Sequence, residues 1–186
     1  RGMSTGKMAV GGGIGTVVLV LIVLLLGGDP SQVMETMPQN TGTESGSLAS
    51  SPEEEAMVNF VSVVLAGTED VWTEIFRQSN LTYRKPTLVL YRDQVQSACG
   101  FATAASGPFY CPGDEKVYID LDFFDALQTS YGANGDFAVA YVLAHEIGHH
   151  VQNLLGTLDQ VNSQRARLSE TSANRLLVRL ELQADF

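Results

Sequence analysis

Asn134 to Leu155 reads NGDFAVAYVLAHEIGHHVQNLL, and the reading of this stretch sets the reading of the rest of the chain. The pattern predicts a long helix, with Asn134 or Asp136 as its cap and Gly156 at its end. Inside it lies His145-Glu146-Ile147-Gly148-His149. A helix turns about 100° per residue, so His145 and His149 point the same way, one turn apart. Two imidazoles so placed can share one cation. Glu146 then falls beside the metal without binding it, where a general base stands to take a proton from activated water. Gly148 suits a helix that packs closely on another backbone. Val142, Leu143 and Ile147 supply apolar surroundings. The competing reading is a His-Glu-His run on a solvated face.

Two histidines do not complete a catalytic zinc site, which usually takes three protein ligands and one open position. Downstream, Glu181-Leu182-Gln183-Ala184-Asp185 sets two carboxylates one helical turn apart. Glu181 is the candidate third ligand. Asp185 is the candidate acceptor for the second nitrogen of a ligating histidine, fixing its tautomer. Residue types alone leave this open against an exposed helix face with Arg175 and Arg179 as counter-charges. Glu170 is a weaker rival ligand. His150, about 100° round from His149, reads as solvent-facing or supporting rather than ligating.

Working outward, the chain divides into three parts. Met8 to Leu26 is 19 residues without a charge, ending in ten consecutive aliphatics from Val17. As a helix it spans roughly 28 Å, close to the hydrocarbon thickness of a bilayer. Arg1 and Lys7 precede it and acidic residues follow, so residues 1–28 read as a cytosolic tail and transmembrane helix, with the rest of the chain outside the cytosol. A cleaved signal peptide is the alternative, although Gly-Gly-Asp-Pro after Leu26 is a poor cleavage site. Residues 29–50 are rich in Ser, Thr, Gly, Pro, Asn and Gln and read as a flexible linker. The folded domain is expected over 51–186, within the one-domain range of a 186-residue chain.

Within that domain, Ser51-Pro52-Glu53-Glu54 opens a helix with a cap, a first-turn proline and a capping-box Glu54. A second helix is expected over about Thr68–Gln78, a loop over Asn80–Lys85, and a strand over Pro86–Tyr91. Lys116–Phe124 alternates apolar and polar residues as a half-buried strand. The only two cysteines, Cys99 and Cys111, lie in the Gly- and Ala-rich stretch between these strands. In an exported domain they form a disulfide; two buried thiols are the alternative. A net charge of −10 argues against nucleic acid as a partner.

Over residues 57 to the end the chain resembles the bacterial family called "putative neutral zinc metallopeptidase". The resemblance is carried by FVSVVLAGTEDVWTEIFRQ, QSACGFATAASGPFYCPGDEKVYIDLDFF, HEIGHHVQNLLG and RLELQADF. It implies one zinc ion on His145, His149 and Glu181, with Glu146 as the catalytic residue. The Glu-x-x-Ala-Asp element is also similar to that of other integral-membrane zinc peptidases, where the Glu is the third ligand. The resemblance further implies a chain that continues past Phe186. The expected fold is a zincin-like α+β domain, with a small mixed or antiparallel sheet on the active-site helix. The expected function is zinc-dependent hydrolysis of a peptide or protein substrate outside the cytosol, the substrate held along an edge strand at Lys116–Leu121. The alternatives are a non-catalytic, membrane-tethered zinc-binding module and an envelope interaction protein that binds no metal.

Overall fold

The computed structural model describes residues 51–103, 106–130 and 136–186. The transmembrane helix and linker expected over 1–50, and Asn134 as a cap, lie outside the described residues. Among the described residues no helix is long and apolar enough to cross a membrane.

The first helix, α1 (Pro52–Gln78), starts as its sequence dictates: the Ser51 hydroxyl accepts from the Glu54 amide at 3.2 Å and Pro52 opens the first turn. The Glu54 carboxylate does not close a capping box but pairs with Arg92 at 3.3 Å. The two expected helices are one helix of 27 residues. Gly67 does not break it. No neighbour lies within 4 Å of where its Cβ would be, so it is an exposed helix position whose cost, about 1 kcal/mol, is offset by packing on either side. Phe60, Val61, Val64, Leu65 and Trp72 face the core, while Val71 and Ile75 are exposed.

Three strands form a mixed sheet in the order β1-β5-β4: β1 (Thr87–Tyr91) runs parallel to β5 (Lys116–Asp120), and β4 (Phe109–Cys111) runs antiparallel to it. A separate hairpin, β2 (Gln94–Ser97) and β3 (Gly100–Thr103), is clipped to β4 by a Cys99–Cys111 disulfide.

Two expectations for the Lys116 stretch are corrected. First, the strand ends at Asp120, and Leu121–Ser130 is a helix, α2. Asp120 Oδ1 accepts from the Asp122 amide at 3.0 Å, an N-cap contact that turns the chain into the helix and overrides the apolar alternation. Second, β5 is the centre of the sheet and buried on both faces, so it cannot be a substrate-binding edge; β1 and β4 are the edge strands, each with one unpaired side.

The remaining helices are α3 (Asp136–Leu154), α4 (Thr157–Arg165) and α5 (Glu170–Asp185). Gly156, at φ +75°, ends α3 in the left-handed conformation that favours glycine. The main core joins Val117 and Ile119 of the sheet to Val142, Leu143 and Ile147 of α3, with Val61 of α1 and Leu180 of α5. The other sheet face carries Tyr91, Cys111 and Tyr118, packed with Val95 of the hairpin. The architecture is mixed α+β, with the histidine helix between the sheet and α5.

Candidate metal centre

Position 148 brings α3 and α5 together. A Cβ on Gly148 would stand 2.4 Å from the carbonyl oxygen of Ala184, so the backbones cross closer than any larger residue permits. That crossing sets His145 and His149 opposite Glu181. His145 Nε2 lies 3.3 Å, and His149 Nε2 3.2 Å, from Glu181 Oε2. One ligand atom from each of the three can be chosen so that all lie within 4.8 Å of one another, and all three residues are buried. Atoms about 2.0–2.1 Å from a tetrahedral ion stand about 3.3 Å apart, so the two nitrogen–oxygen spacings fit a shared zinc.

Each ring is held by its other nitrogen. His145 Nδ1 donates to Asp185 Oδ1 at 2.7 Å, which also accepts from the Tyr141 hydroxyl at 2.6 Å. His149 Nδ1 donates to Gln152 Oε1 at 2.9 Å. With Nδ1 protonated on both rings, Nε2 is the nitrogen that each ring turns toward Glu181 and that would bind a metal.

Glu146 lies at this same place, fully buried, and neither carboxylate oxygen has a hydrogen-bond partner. The Tyr110 backbone amide of β4 lies near enough to steady its charge without forming a hydrogen bond of ordinary geometry. Burial raises the Glu146 carboxyl, with His149 and His145 pulling against that rise. An acid held above its ordinary range is suited to trade protons near neutral pH.

Burial would lower the His145 imidazole, but the Glu181 hydrogen bond and the Glu146 and Asp185 charges overcome it and raise its pKa to about 9. His149 is raised through the same opposition. Burial would raise the Glu181 carboxyl, yet its hydrogen bonds to both imidazoles bring it down to about 2. Three carboxylates around two imidazoles therefore demand positive charge. The donor set and the unpartnered buried Glu146 oxygens fit a divalent ion, and two imidazoles with one carboxylate suit zinc.

The other expected residues separate cleanly. Glu170 is exposed in the first turn of α5, eleven residues and about 16 Å of helix from Glu181, outside the cluster. Arg175 and Arg179 are exposed. The solvent-facing expectation for His150 is corrected: it is fully buried. Its Nε2 donates to the Arg84 carbonyl at 2.5 Å and its Nδ1 accepts from the Tyr110 hydroxyl at 3.0 Å. Asn153 in turn donates to Tyr110 at 2.9 Å. Tyr141 and Gln152 were not singled out from the sequence. The available signal was spacing: Tyr141 precedes His145 by one helical turn, and Gln152 follows His149 by three residues.

Among known proteins, the chain is 43% identical over 174 residues to the uncharacterized protein YpfJ of Escherichia coli (strain K12), covering 94% of this chain and 60% of that one. It is 38% identical over 170 residues to the uncharacterized protein Rv2575 of Mycobacterium tuberculosis (strain ATCC 25618 / H37Rv), covering 87% and 55%. The chain thus spans just over half the length of these relatives. No solved structure matches it. The family model described as "Putative neutral zinc metallopeptidase" matches residues 1–186, and the chain belongs to that family.

Proposed function

We propose that the protein is a membrane-anchored zinc peptidase that hydrolyses peptide bonds outside the cytosol. The observation that carries this reading is the pair of imidazole nitrogens 3.2 and 3.3 Å from one Glu181 oxygen, with an unpartnered, buried Glu146 alongside. His145, His149 and Glu181 would hold the metal. A bound zinc ion supplies Lewis acidity, polarising the scissile carbonyl and lowering the pKa of water toward about 7. Glu146 takes the proton of the attacking water and returns it to the leaving amine. Asp185 holds the His145 ring in the tautomer that leaves Nε2 free. The Tyr110 amide steadies Glu146 while it carries charge. The unpaired side of β4, next to Glu146, is where main-chain hydrogen bonds would hold an extended substrate.

The membrane anchor rests on the apolar run Met8–Leu26, and location outside the cytosol on that run together with the Cys99–Cys111 bridge, a bond that persists in oxidising compartments.

One observation favours a second reading, a non-catalytic zinc-binding module. His145, Glu146, His149 and Glu181 are all between 0 and 3% exposed, a degree of closure more usual for structural metal. Incubating the zinc-loaded chain with a mixed peptide library, and reading products by mass spectrometry, separates the two. The peptidase reading expects cleavage that Glu146→Gln lowers by about 10²–10⁴ with zinc content intact. Full zinc loading without any cleavage by the unsubstituted chain favours the module.

A further inference from the structure

We infer that Gln152 is a positioning residue that sets two metal ligands, on two helices, through one amide; this rests on the zinc reading above. Its side chain is 3% exposed, and three of its four hydrogen-bonding positions are in use. Oε1 accepts from His149 Nδ1 at 2.9 Å, while Nε2 donates to the Leu180 carbonyl at 2.7 Å and to Gln183 Oε1 at 3.1 Å. Leu180 immediately precedes Glu181. The amide therefore orients the ring of one ligand and grips the backbone next to another.

The order of cause runs from the backbone outward. A main-chain carbonyl can only accept, so the atom facing Leu180 must be the NH₂ group. That leaves the oxygen facing His149. An oxygen there can only accept, so His149 must donate from Nδ1, and in the neutral ring Nε2, on the side of Glu181, is then the nitrogen that carries the lone pair. The α5 backbone thus fixes the amide, and the amide fixes the tautomer.

The contrast with His145 shows why an amide is needed. Asp185, the acceptor for His145, sits on α5 itself, so one carboxylate spans the two helices. Gln152 sits on α3, the same helix as His149, and must reach across with a donor. Glutamate at 152 would accept from His149 but would set a carboxylate against the Leu180 carbonyl and the Gln183 oxygen. Methionine, of similar length, would make neither contact.

The test uses the full chain with Gln152→Glu, Gln152→Met and Gln183→Ala. Zn²⁺ affinity is read by competition with a chromophoric chelator, and the His149 tautomer by nitrogen-15 NMR of the metal-free chain at a pH high enough that the ring is neutral. Gln152→Met is expected to lose about 10- to 100-fold in Zn²⁺ affinity and to lose the Nδ1–H preference. Gln152→Glu is expected to lose at least as much affinity as Gln152→Met, and Gln183→Ala to stay near the unsubstituted chain. Unchanged affinity in Gln152→Glu would overturn the bridge, since an acceptor for His149 would then suffice. Unchanged affinity and tautomer in Gln152→Met would overturn the positioning role altogether. Variants recovered only as unfolded protein would also count against it, making Gln152 a determinant of the fold rather than of the ligands. If the unsubstituted chain takes no zinc, the zinc reading fails, while the tautomer measurement still decides whether Gln152 sets the ring.

Discussion

His149 and His150 are neighbours on one helix and meet opposite environments. On the side of α3 that faces α5, His149 has a neutral acceptor on one nitrogen and a buried carboxylate before the other. On the side that faces the sheet, His150 spends both nitrogens on oxygens, the Arg84 carbonyl and the Tyr110 hydroxyl. Burial and the Arg84 side chain hold it below the ordinary histidine range, although the Arg84 carbonyl and Glu115 pull upward. Residue type is the same and burial nearly so. What differs is what the ring nitrogens face: a buried carboxylate stands before His149 Nε2, while both nitrogens of His150 meet neutral oxygens. One side of the helix is arranged to receive a cation; the other locks the helix to β4 and the 80–85 loop.

The largest expected effect breaks this comparison directly. His149→Ala should lower Zn²⁺ affinity on the order of 10³-fold in a chelator competition, because it deletes a ligand from a site of three. His150→Gln should leave affinity near that of the unsubstituted chain and instead cost about 1–3 kcal/mol in denaturant unfolding, as buried partners go unpaired. Similar zinc losses in both variants would mean that the two sides do not act separately.

Next in size is the disulfide. Replacing both Cys99 and Cys111 with Ala should cost about 2–4 kcal/mol of stability while zinc affinity stays put, since the bridge ties the hairpin to β4 on the sheet side. A parallel loss of zinc would show that β4 transmits to the metal side.

Gly148→Ala is smaller in stability but reaches both properties. Its Cβ would overlap the Ala184 carbonyl, so about 1–3 kcal/mol should be lost in thermal unfolding, and zinc affinity should fall as Glu181 is pushed away. A neutral outcome would show that the helices need not cross so closely.

The smallest effect is on the sheet side and depends on pH. Burial raises the Asp120 carboxyl to about 6, from about 3.9 in an unfolded chain. The folded state then holds this proton more tightly than the unfolded one. Raising the pH from about 4 to 6 therefore costs stability, and the cost is complete above that window. Asp120→Asn keeps an oxygen for the Asp122 amide and removes the charge. It should stabilise the domain at pH 7 by on the order of 1 kcal/mol, because the roughly 3 kcal/mol of relieved charge burial is partly offset by an unpartnered amide group where Oδ2 stood, and flatten this part of the pH–stability curve, with zinc affinity unchanged. An Asp120→Asn variant less stable than the original at pH 7 would contradict the assignment.

How much of this was legible beforehand follows the range of the interactions. His145, Glu146 and His149 share one helix, so helical geometry alone put them together, and Gly148 announced a close crossing. Glu181 needed the family resemblance, because carboxylate spacing on a second helix does not say which way that helix turns. The α1 and β5 boundaries differ for local reasons: α1 runs unbroken through Gly67 where two helices were expected, and the Asp120 cap ends a strand whose apolar alternation runs on. His150 and Gln152 were illegible because their partners, Arg84, Tyr110 and Leu180, lie far away in sequence. A position 100° round a helix from a ligand can face water or core, and only the tertiary fold decides.

The most direct test of the central claim is metal stoichiometry, read by native mass spectrometry on the chain and two of its variants. The account predicts one zinc per chain in the unsubstituted protein, one in Glu146→Gln, and none in Glu181→Ala. Zinc retained by Glu181→Ala, or lost from Glu146→Gln, would contradict it.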